Sequence, residues 1–159
     1  MNLLATNSLN QQDSTIFEIP KLAPANAPYE YLKILVSGEL AAGDNDRRCM
    51  LQINGITSGY TSFVVMNGHA GAGEWDGNGF YLGRNGWYLD ASMSCEFTLA
   101  TKSLLNKVTG HGLSTFSNGN NTILGYLAHG FVLNAQSINS VKVFFTGGVF
   151  TGSVKMYAF

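Results

Sequence analysis

Three histidines are the residues of this sequence that most directly suggest chemistry. They are His69, His111 and His129, and each lies beside or one residue from a glycine. A catalytic histidine needs a positioned nucleophile and an orienting acid, and the spacing of the chain indicates neither. Imidazole is also a common zinc ligand, so a three-histidine metal site is the alternative. We expect these histidines in loops or at strand edges, with no metal bound.

Two short motifs approach the patterns of ligand-binding loops without completing them. Asp44-Asn45-Asp46 begins like a calcium loop, but Arg48 and Cys49 occupy the places of an oxygen ligand and of the turning glycine. A solvated turn is therefore predicted there. Gly71-Ala72-Gly73 is similar to the start of a phosphate-binding loop, but Gly77 comes one position late and no Lys-Ser/Thr pair follows. The sequence thus predicts no metal and no cofactor.

Acidic residues are few, but a pair of carboxylates is the minimum for glycoside hydrolysis. Glu74 with Asp76 or Asp90 is the pair to consider. The two carboxylates would have to flank a sugar at roughly 5 to 10 Å from each other. One short domain with ten acidic residues gives little support for such a cleft. We therefore expect no enzymatic activity.

The segment around the two tryptophans offers binding chemistry rather than catalysis. Sugars stack their apolar faces on aromatic rings, while amides and carboxylates bind the hydroxyl groups. Cross-strand packing and subunit contacts also use aromatic residues, and both alternatives stay open. The candidate contacts for a glycan or a neighbouring subunit are Trp75, Asp76, Asn78, Tyr81, Trp87 and Tyr88.

Composition limits the partners of the chain. Of its 159 residues, 45% are apolar and 12% are charged, and the net charge is −1. This length suits one domain with a full core, and the near-neutral charge gives no general attraction to nucleic acid or to an anionic membrane. Cys49 and Cys95 lie in apparent strands without metal-ligand spacing, so we expect buried thiols. The first residues show no signal peptide, so synthesis in a host cytoplasm is expected.

Short runs of alternating apolar and polar residues predict β-strands along the whole chain. In one run Leu32, Ile34 and Val36 share a face, as in a strand with one buried side. Residues 102–112 fit either a helical turn or a further strand. The other predicted strands cover residues 14–19, 29–36, 47–53, 60–66, 79–82, 86–89, 94–100, 122–133, 138–145 and 150–159.

Glycines shape the C-terminal part of this pattern. Gly125 and Gly130 predict a bulge or bend within residues 122–133. Thr146-Gly147-Gly148 predicts the turn of a hairpin that joins the last two strands. Together the runs predict an all-β fold, an antiparallel jelly-roll-like β-sandwich of about 8 to 10 strands, as one domain over residues 14–159.

Residues 1–13 are polar, rich in Asn and Gln, and show little periodicity. They predict an N-terminal arm. One interpretation is a frayed terminus, and the other is an arm that orders only against a partner. The candidate lattice contacts of this arm are Leu3, Leu4, Asn7 and Leu9.

The most specific pattern lies at the end of the chain, where Ile138-Asn139-Ser140-Val141-Lys142-Val143 precedes Phe150-Thr151-Gly152 and Val154-Lys155-Met156-Tyr157. Residues 29–38, residues 50–60 and a middle strand that ends in a small polar loop add to it. In these segments the chain resembles the jelly-roll domains of tailed-bacteriophage virion proteins, which occur in head-decoration proteins and at tail-fibre tips.

This resemblance implies a non-enzymatic structural protein of the virion that forms a homotrimer and needs no cofactor. Because no fibre shaft or collagen-like repeat precedes the domain, it favours a capsid decoration (cement) protein. Such a protein would stabilise the head through lattice contacts with the major capsid protein. The alternative is a receptor-binding module of a tail fibre or tail tip, which would contact tail proteins and recognise host surface glycans.

Overall fold

The computed structural model describes residues 1–19, 29–67, 73–101, 105–134 and 136–159. Within these ranges the elements are β-strands, and no helix is long and apolar enough to cross a membrane. The all-β prediction is therefore confirmed. In chain order the strands are β1 Asn2–Gln12, β2 Ser14–Glu18, β3 Tyr31–Ala41, β4 Arg48–Ile53, β5 Tyr60–Asn67, β6 Gly73–Asp76, β7 Phe80–Arg84, β8 Ala91–Ala100, β9 Lys107–Asn118, β10 Ile123–Leu133, β11 Ser140–Phe145 and β12 Val149–Ala158.

The strands form two antiparallel sheets that pack face to face. The larger sheet has the order β1-β12-β3-β8-β9-β10-β5-β6, and the smaller sheet has the order β2-β11-β4-β7. Neighbouring strands are often distant in sequence, so the connections cross between the sheets. The predicted antiparallel β-sandwich is confirmed, with more strands than expected.

Alternating side chains explain the core between the sheets. Leu32, Ile34 and Val36 of β3 are buried, as their shared face predicts. Across the interface Phe80 of β7 packs against Phe97 of β8, with ring centroids 5.3 Å apart. Burial of this kind stabilises a fold by about 1.5–3 kcal/mol for each large apolar side chain.

The connection between β11 and β12 differs from the prediction. It is not a hairpin, because β11 pairs with β2 and β4 in the smaller sheet, whereas β12 pairs with β1 and β3 in the larger one. Gly147 and Gly148 have φ values of +136° and +71°, which glycine adopts readily, and they turn the chain between the layers. Phe145 and Phe150 stack at 4.8 Å across this corner, so both sheets share its packing.

Other strand boundaries also need correction. Residues 86–89 form a tight turn rather than a strand, and β6 was too short to show periodicity in the sequence. Of the uncertain segment, residues 107–112 belong to strand β9, while residues 102–104 lie outside the described residues. Gly125 and Gly130 do not interrupt β10, which pairs with β9 in continuous register. Gly130 instead lies where the neighbouring strand leaves no room for a side chain, since an added Cβ would lie 2.9 Å from the Thr61 carbonyl oxygen.

The N-terminal segment predicted as an arm forms the edge strand β1. It pairs with β12, and the register shifts between Leu3 and Ala5 and again between Leu9 and Gln12. Such irregularities discourage further pairing at an exposed sheet edge. The Asn7 side chain donates to Thr15 Oγ1 at 2.6 Å, which links β1 to β2 in the other sheet.

Candidate ligand-binding site

An open cleft lies where the outer edges of the two sheets meet. β6 is the outermost strand of the larger sheet, and β7 is the outermost strand of the smaller one. Alternation along β6 directs Glu74 and Asp76 toward β4 and β7, while Trp75 points to the opposite face. The cleft has a volume of about 480 Å³ and is lined by Asp46, Arg48, Glu74, Asp76, Arg84 and Thr146.

Arg48 of β4 joins the two carboxylates of β6. Its Nη1 donates to Asp76 Oδ2 at 2.7 Å and to the Trp75 carbonyl oxygen at 3.2 Å, and its Nη2 lies 3.6 Å from Glu74 Oε2. The guanidinium also lies 4.5 Å above the ring of Tyr81. Burial acts to lower the pKa of Arg48, but the hydrogen bond to Asp76 together with the charge interactions with Tyr81, Asp76 and Glu74 leaves that pKa above its ordinary value. Arg48 is therefore a fixed, charged group on the cleft wall.

Arg84 of β7 holds Glu74 and Asp46. Its Nε and Nη2 each lie 2.9 Å from Glu74 Oε1, and its Nη1 lies 2.6 Å from Asp46 Oδ2. The Tyr81 hydroxyl donates to Glu74 Oε2 at 2.6 Å. Burial acts to raise the pKa of Glu74, but the hydrogen bonds from Arg84 and Tyr81 together with the positive charges of Arg84 and Arg48 leave that pKa below its ordinary value. A glycosidase acid needs a raised pKa, so Glu74 is not suited to that role.

A turn with two aromatic residues adjoins the cleft and forms its rim, because the Tyr88 N–H donates to Asp46, which lines the cleft. Trp87 and Tyr88 have φ values of +51° and +62°, and the Leu89 N–H donates to the Gly86 carbonyl at 3.3 Å, which defines a type I′ turn. This turn ordinarily contains Asn and Gly, because a left-handed conformation costs other residues about 1–2 kcal/mol each. The side chains are nonetheless large, and Trp87 and Tyr88 are 50% and 61% exposed. The backbone is therefore strained at the two positions where aromatic rings are exposed.

The buried side chain of Asn85 holds this turn in place. Its Oδ1 accepts the Arg47 N–H at 2.7 Å, and its Nδ2 donates to the carbonyls of Leu89 at 2.6 Å and Asn45 at 3.2 Å. The Tyr88 N–H donates to Asp46 Oδ1 at 2.9 Å. The turn and the loop before β4 are therefore one rigid unit, and Asp46 connects that unit to the cleft.

The structure separates the candidate contacts predicted from sequence into four positions. Trp87 and Tyr88 lie on the rim, and Asp76 lies in the cleft. Tyr81 is buried beneath Arg48, where it supports the charged groups. The remaining two are placed differently. Trp75 packs against Phe63 outside the cleft, and Asn78 is held by its backbone, whose N–H donates to Asp76 Oδ1 and whose carbonyl accepts from Gln52 Nε2.

Other sequence candidates lie away from the cleft or play structural roles. Asp90 accepts the Ala42 N–H at 2.7 Å, so it is not a partner of Glu74. In the Asp44–Asp46 segment, Asp46 binds Arg84 instead of forming a calcium loop, and no group of three or more metal-ligating side chains occurs in the parts of the chain described. The phosphate-loop candidate at residues 71–73 is described only at Gly73.

The arm candidates and the histidines occupy strands. On β1, Leu9 is buried, Leu4 and Asn7 are half-buried, and Leu3 is exposed. The loop or edge positions expected for histidine are wrong for His111 and His129, which lie on the interior strands β9 and β10, while His69 lies outside the described residues.

Sequence reasoning missed Arg48 and Arg84 as members of the site. In the sequence, Arg48 has significance only as a residue that interrupts a calcium-loop pattern, and Arg84 belongs to no motif. The available signal was that charged residues are rare in this chain yet occur within or beside short strands in residues 46–84. A charge directed toward the inside of a sandwich needs an opposite partner, because an unpaired buried charge is costly.

Comparison with known proteins gives only distant structural likeness. No family profile and no curated protein matches the chain. A mutant of the NanB sialidase from Streptococcus pneumoniae is similar, with 11% sequence identity and a TM-score of 0.39. The match covers 99% of this chain but only 26% of that protein. The CBM40 domain of the Ruminococcus gnavus IT-sialidase, bound to α2,3-sialyllactose, is similar at 11% identity and a TM-score of 0.34 over 98% of this chain and 92% of that one. At these values the likeness concerns the β-sandwich alone.

Proposed function

We propose that this chain is a non-enzymatic recognition module that binds an uncharged glycan in the cleft between β6 and β7. The observation that carries the proposal is the Trp87–Tyr88 turn, which holds two exposed aromatic residues in a left-handed conformation beside a polar cleft. Backbone strain that the surrounding structure enforces is typical of ligand-binding positions.

Trp87 and Tyr88 supply the apolar half of the binding surface. Their rings give a sugar two faces on which to stack its C–H groups. The hydrogen bonds of Asn85 and Asp46 fix the backbone beneath the rings. Since the turn is already ordered, binding loses less conformational entropy than it would on a flexible loop.

The cleft supplies the polar half and accounts for the preference for uncharged sugars. Three carboxylates face two guanidinium groups, so the cleft carries one negative charge in excess. A sugar acid would meet this excess and would have to compete for guanidinium groups that are already paired. Neutral hydroxyl groups can instead donate to the free lone pairs of the carboxylates.

The test is glycan-array screening followed by calorimetry with the best ligand. Trp87→Ala and Tyr88→Ala are each expected to weaken binding at least tenfold, because a lost stacking surface removes about 1.4 kcal/mol or more. Trp75→Ala is the matched control, since Trp75 is 63% exposed but lies on the opposite face of β6. Equal loss in all three variants, or a preference for sialylated over neutral glycans, would contradict the proposed site.

A second candidate concerns where the module acts. We propose that it is a structural protein of a tailed-bacteriophage virion, working as a homotrimer that decorates the head or sits at the tail tip. The pattern of the closing strands supports this, and so does an exposed apolar patch on the outer face of the larger sheet. The patch comprises Val65, Trp75, Leu113 and Leu127, which are 38%, 63%, 50% and 38% exposed. Contiguous exposed apolar surface is typical of protein interfaces.

Copy number and mass in solution test this second candidate. Quantitative mass spectrometry of purified particles should find hundreds of copies for a head-decoration protein, or a small multiple of three for a tail protein. Light scattering should show a trimer, and Leu113→Glu should shift it toward monomer by placing a charge in the patch. Absence from particles would overturn the virion assignment, but it would leave the glycan proposal standing.

A further inference from the structure

His111 and His129 lie directly opposite each other on the outer face of the larger sheet. They are partners in the register of β9 and β10, two interior strands. Directly opposed residues have Cβ atoms about 5 Å apart. Both side chains are exposed, and within the described part of the chain neither imidazole has a hydrogen-bond or ion-pair partner.

The glycines beside these histidines explain this orientation. Gly110 and Gly112 face the core, where an added Cβ at either position would collide with Phe97. Because side chains alternate along a strand, His111 between them must point outward. Gly130 likewise faces inward against Ser62, which places His129 on the outer face. The Gly-His-Gly pattern is therefore a consequence of core packing and not of a loop.

We propose that His111 and His129 together form a binding site for a divalent transition metal ion such as Zn²⁺, Ni²⁺ or Cu²⁺. Metal–nitrogen bonds of about 2.0–2.1 Å fit two imidazoles that converge from opposed positions, and water completes the coordination. The Phe63 ring lies 5.4 Å from the ring of His129 and limits its rotation. One ligand is thus partly ordered before the metal binds.

The surroundings favour a nitrogen-preferring metal over calcium or magnesium. Hard cations need several oxygen ligands. Among the described residues, the nearest outward carboxylate by register is that of Glu96, two residues along β8 from Thr98, which lies opposite His111, and it is paired with Lys33 at 3.0 Å. The two imidazoles are therefore the donors that the described residues offer, and Cu²⁺ should bind more tightly than Zn²⁺.

Calorimetric titration with ZnCl₂ and with CuCl₂ tests the site directly. His111→Ala and His129→Ala should each weaken binding at least about tenfold, since loss even of a group that only supports a metal ligand costs 10- to 100-fold. Thr115→Ala is the control, because Thr115 is exposed on the same face of β9 four residues from His111, and it should leave the affinity unchanged. Thermal unfolding should be unchanged in all three variants, because the three strand positions are exposed.

A second readout uses tryptophan fluorescence. Trp75, Phe63 and His129 form a chain of ring contacts, with centroids 4.9 Å and 5.4 Å apart. Bound Cu²⁺ should therefore quench Trp75, and a Trp87→Phe variant should retain that quenching. Wild-type affinity in the double variant His111→Ala/His129→Ala, or equal loss in Thr115→Ala, would overturn the proposal. Glycan binding at the other face of β6 should not respond to the metal, so each proposal can fail without the other.

Discussion

At the scale of single residues, the buried amide of Asn85 joins the two segments that form the rim of the cleft. It satisfies one N–H group and two carbonyl groups of the backbone. Removing a buried partner leaves such groups without hydrogen bonds, which costs more than the bonds themselves contribute. Asn85 is therefore important both for stability and for the placement of Trp87 and Tyr88.

Asn85→Ala is expected to lower the free energy of unfolding by about 2–3 kcal/mol, because buried polar groups lose their partners. Urea denaturation measures this change. Asn45→Ala is the matched control, since the exposed Asn45 side chain bonds only to the Gly43 carbonyl within the described residues, and its loss should cost about 0.5 kcal/mol or less. Similar losses in both variants would contradict the role assigned to Asn85.

Glu74 makes the stability of the fold depend on acid pH. Its pKa in the folded protein lies below the ordinary value of 4.5, so the unfolded chain takes up the proton first as the pH falls. The stabilisation by ionised Glu74 is therefore complete above pH 4.5 and is lost as the pH drops through the lower folded value. Glu74→Gln should reduce stability at neutral pH and flatten this acid dependence. A difference between the two proteins that does not change with pH would refute this assignment.

At the scale of elements, the strained turn at residues 86–89 lowers the stability of the fold but presents the two rings that the proposed glycan binding needs. Glycine adopts a left-handed conformation without the cost that Tyr88 bears, although it also gives the unfolded chain more freedom. Tyr88→Gly should therefore raise the free energy of unfolding by about 0.5–1 kcal/mol while it weakens glycan binding. Leu89→Gly, at a position without positive φ, should instead destabilise the protein. Both values come from urea denaturation, and a loss of stability in Tyr88→Gly would argue against strain.

Strand β1 covers the edge of the larger sheet. It pairs along β12 and buries Leu9. A chain without residues 1–12 would expose the backbone groups of β12, an edge that is prone to intermolecular pairing. We expect this chain to melt at a lower temperature and to aggregate, as measured by calorimetry and light scattering. Unchanged melting would show that β1 is free to leave the sheet and act as an arm toward a neighbour.

Alternation in the sequence predicted most strands and their buried faces, but not which sheet each strand joins. Val141 and Phe150 are both buried, yet they belong to different layers and not to the single hairpin that the sequence predicts. A period of two identifies a buried face, whereas sheet membership depends on hydrogen bonds to strands far away in the chain. The turn at residues 86–89 was mistaken for a strand because Trp and Tyr favour strands and no local signal indicates positive φ.

At the scale of the whole molecule, charge is concentrated in the cleft. Five of the 19 charged residues meet there, from β4, β6, β7 and the loop before β4. Each was visible in the sequence, but their meeting depends on the crossing connections that bring β6 and β7 to neighbouring edges. The aromatic candidates and the carboxylates Glu74 and Asp76 could be predicted because they cluster along the chain. Arg48 and Arg84 could not, because they join this cluster only in space.

The two buried cysteines can report when each sheet of the sandwich opens. Cys49 lies in the smaller sheet and Cys95 in the larger one, and both thiols are free and buried. Burial raises the pKa of both, to about 12 for Cys95, so neither is a reactive thiolate in the folded state. A thiol reagent can therefore modify each only when its sheet opens. The Cys49→Ala variant keeps only Cys95 and reports on the larger sheet, and the Cys95→Ala variant keeps only Cys49 and reports on the smaller sheet. Equal labelling rates in the two variants would mean that the sheets separate in one event. Unequal rates would mean that one sheet opens first.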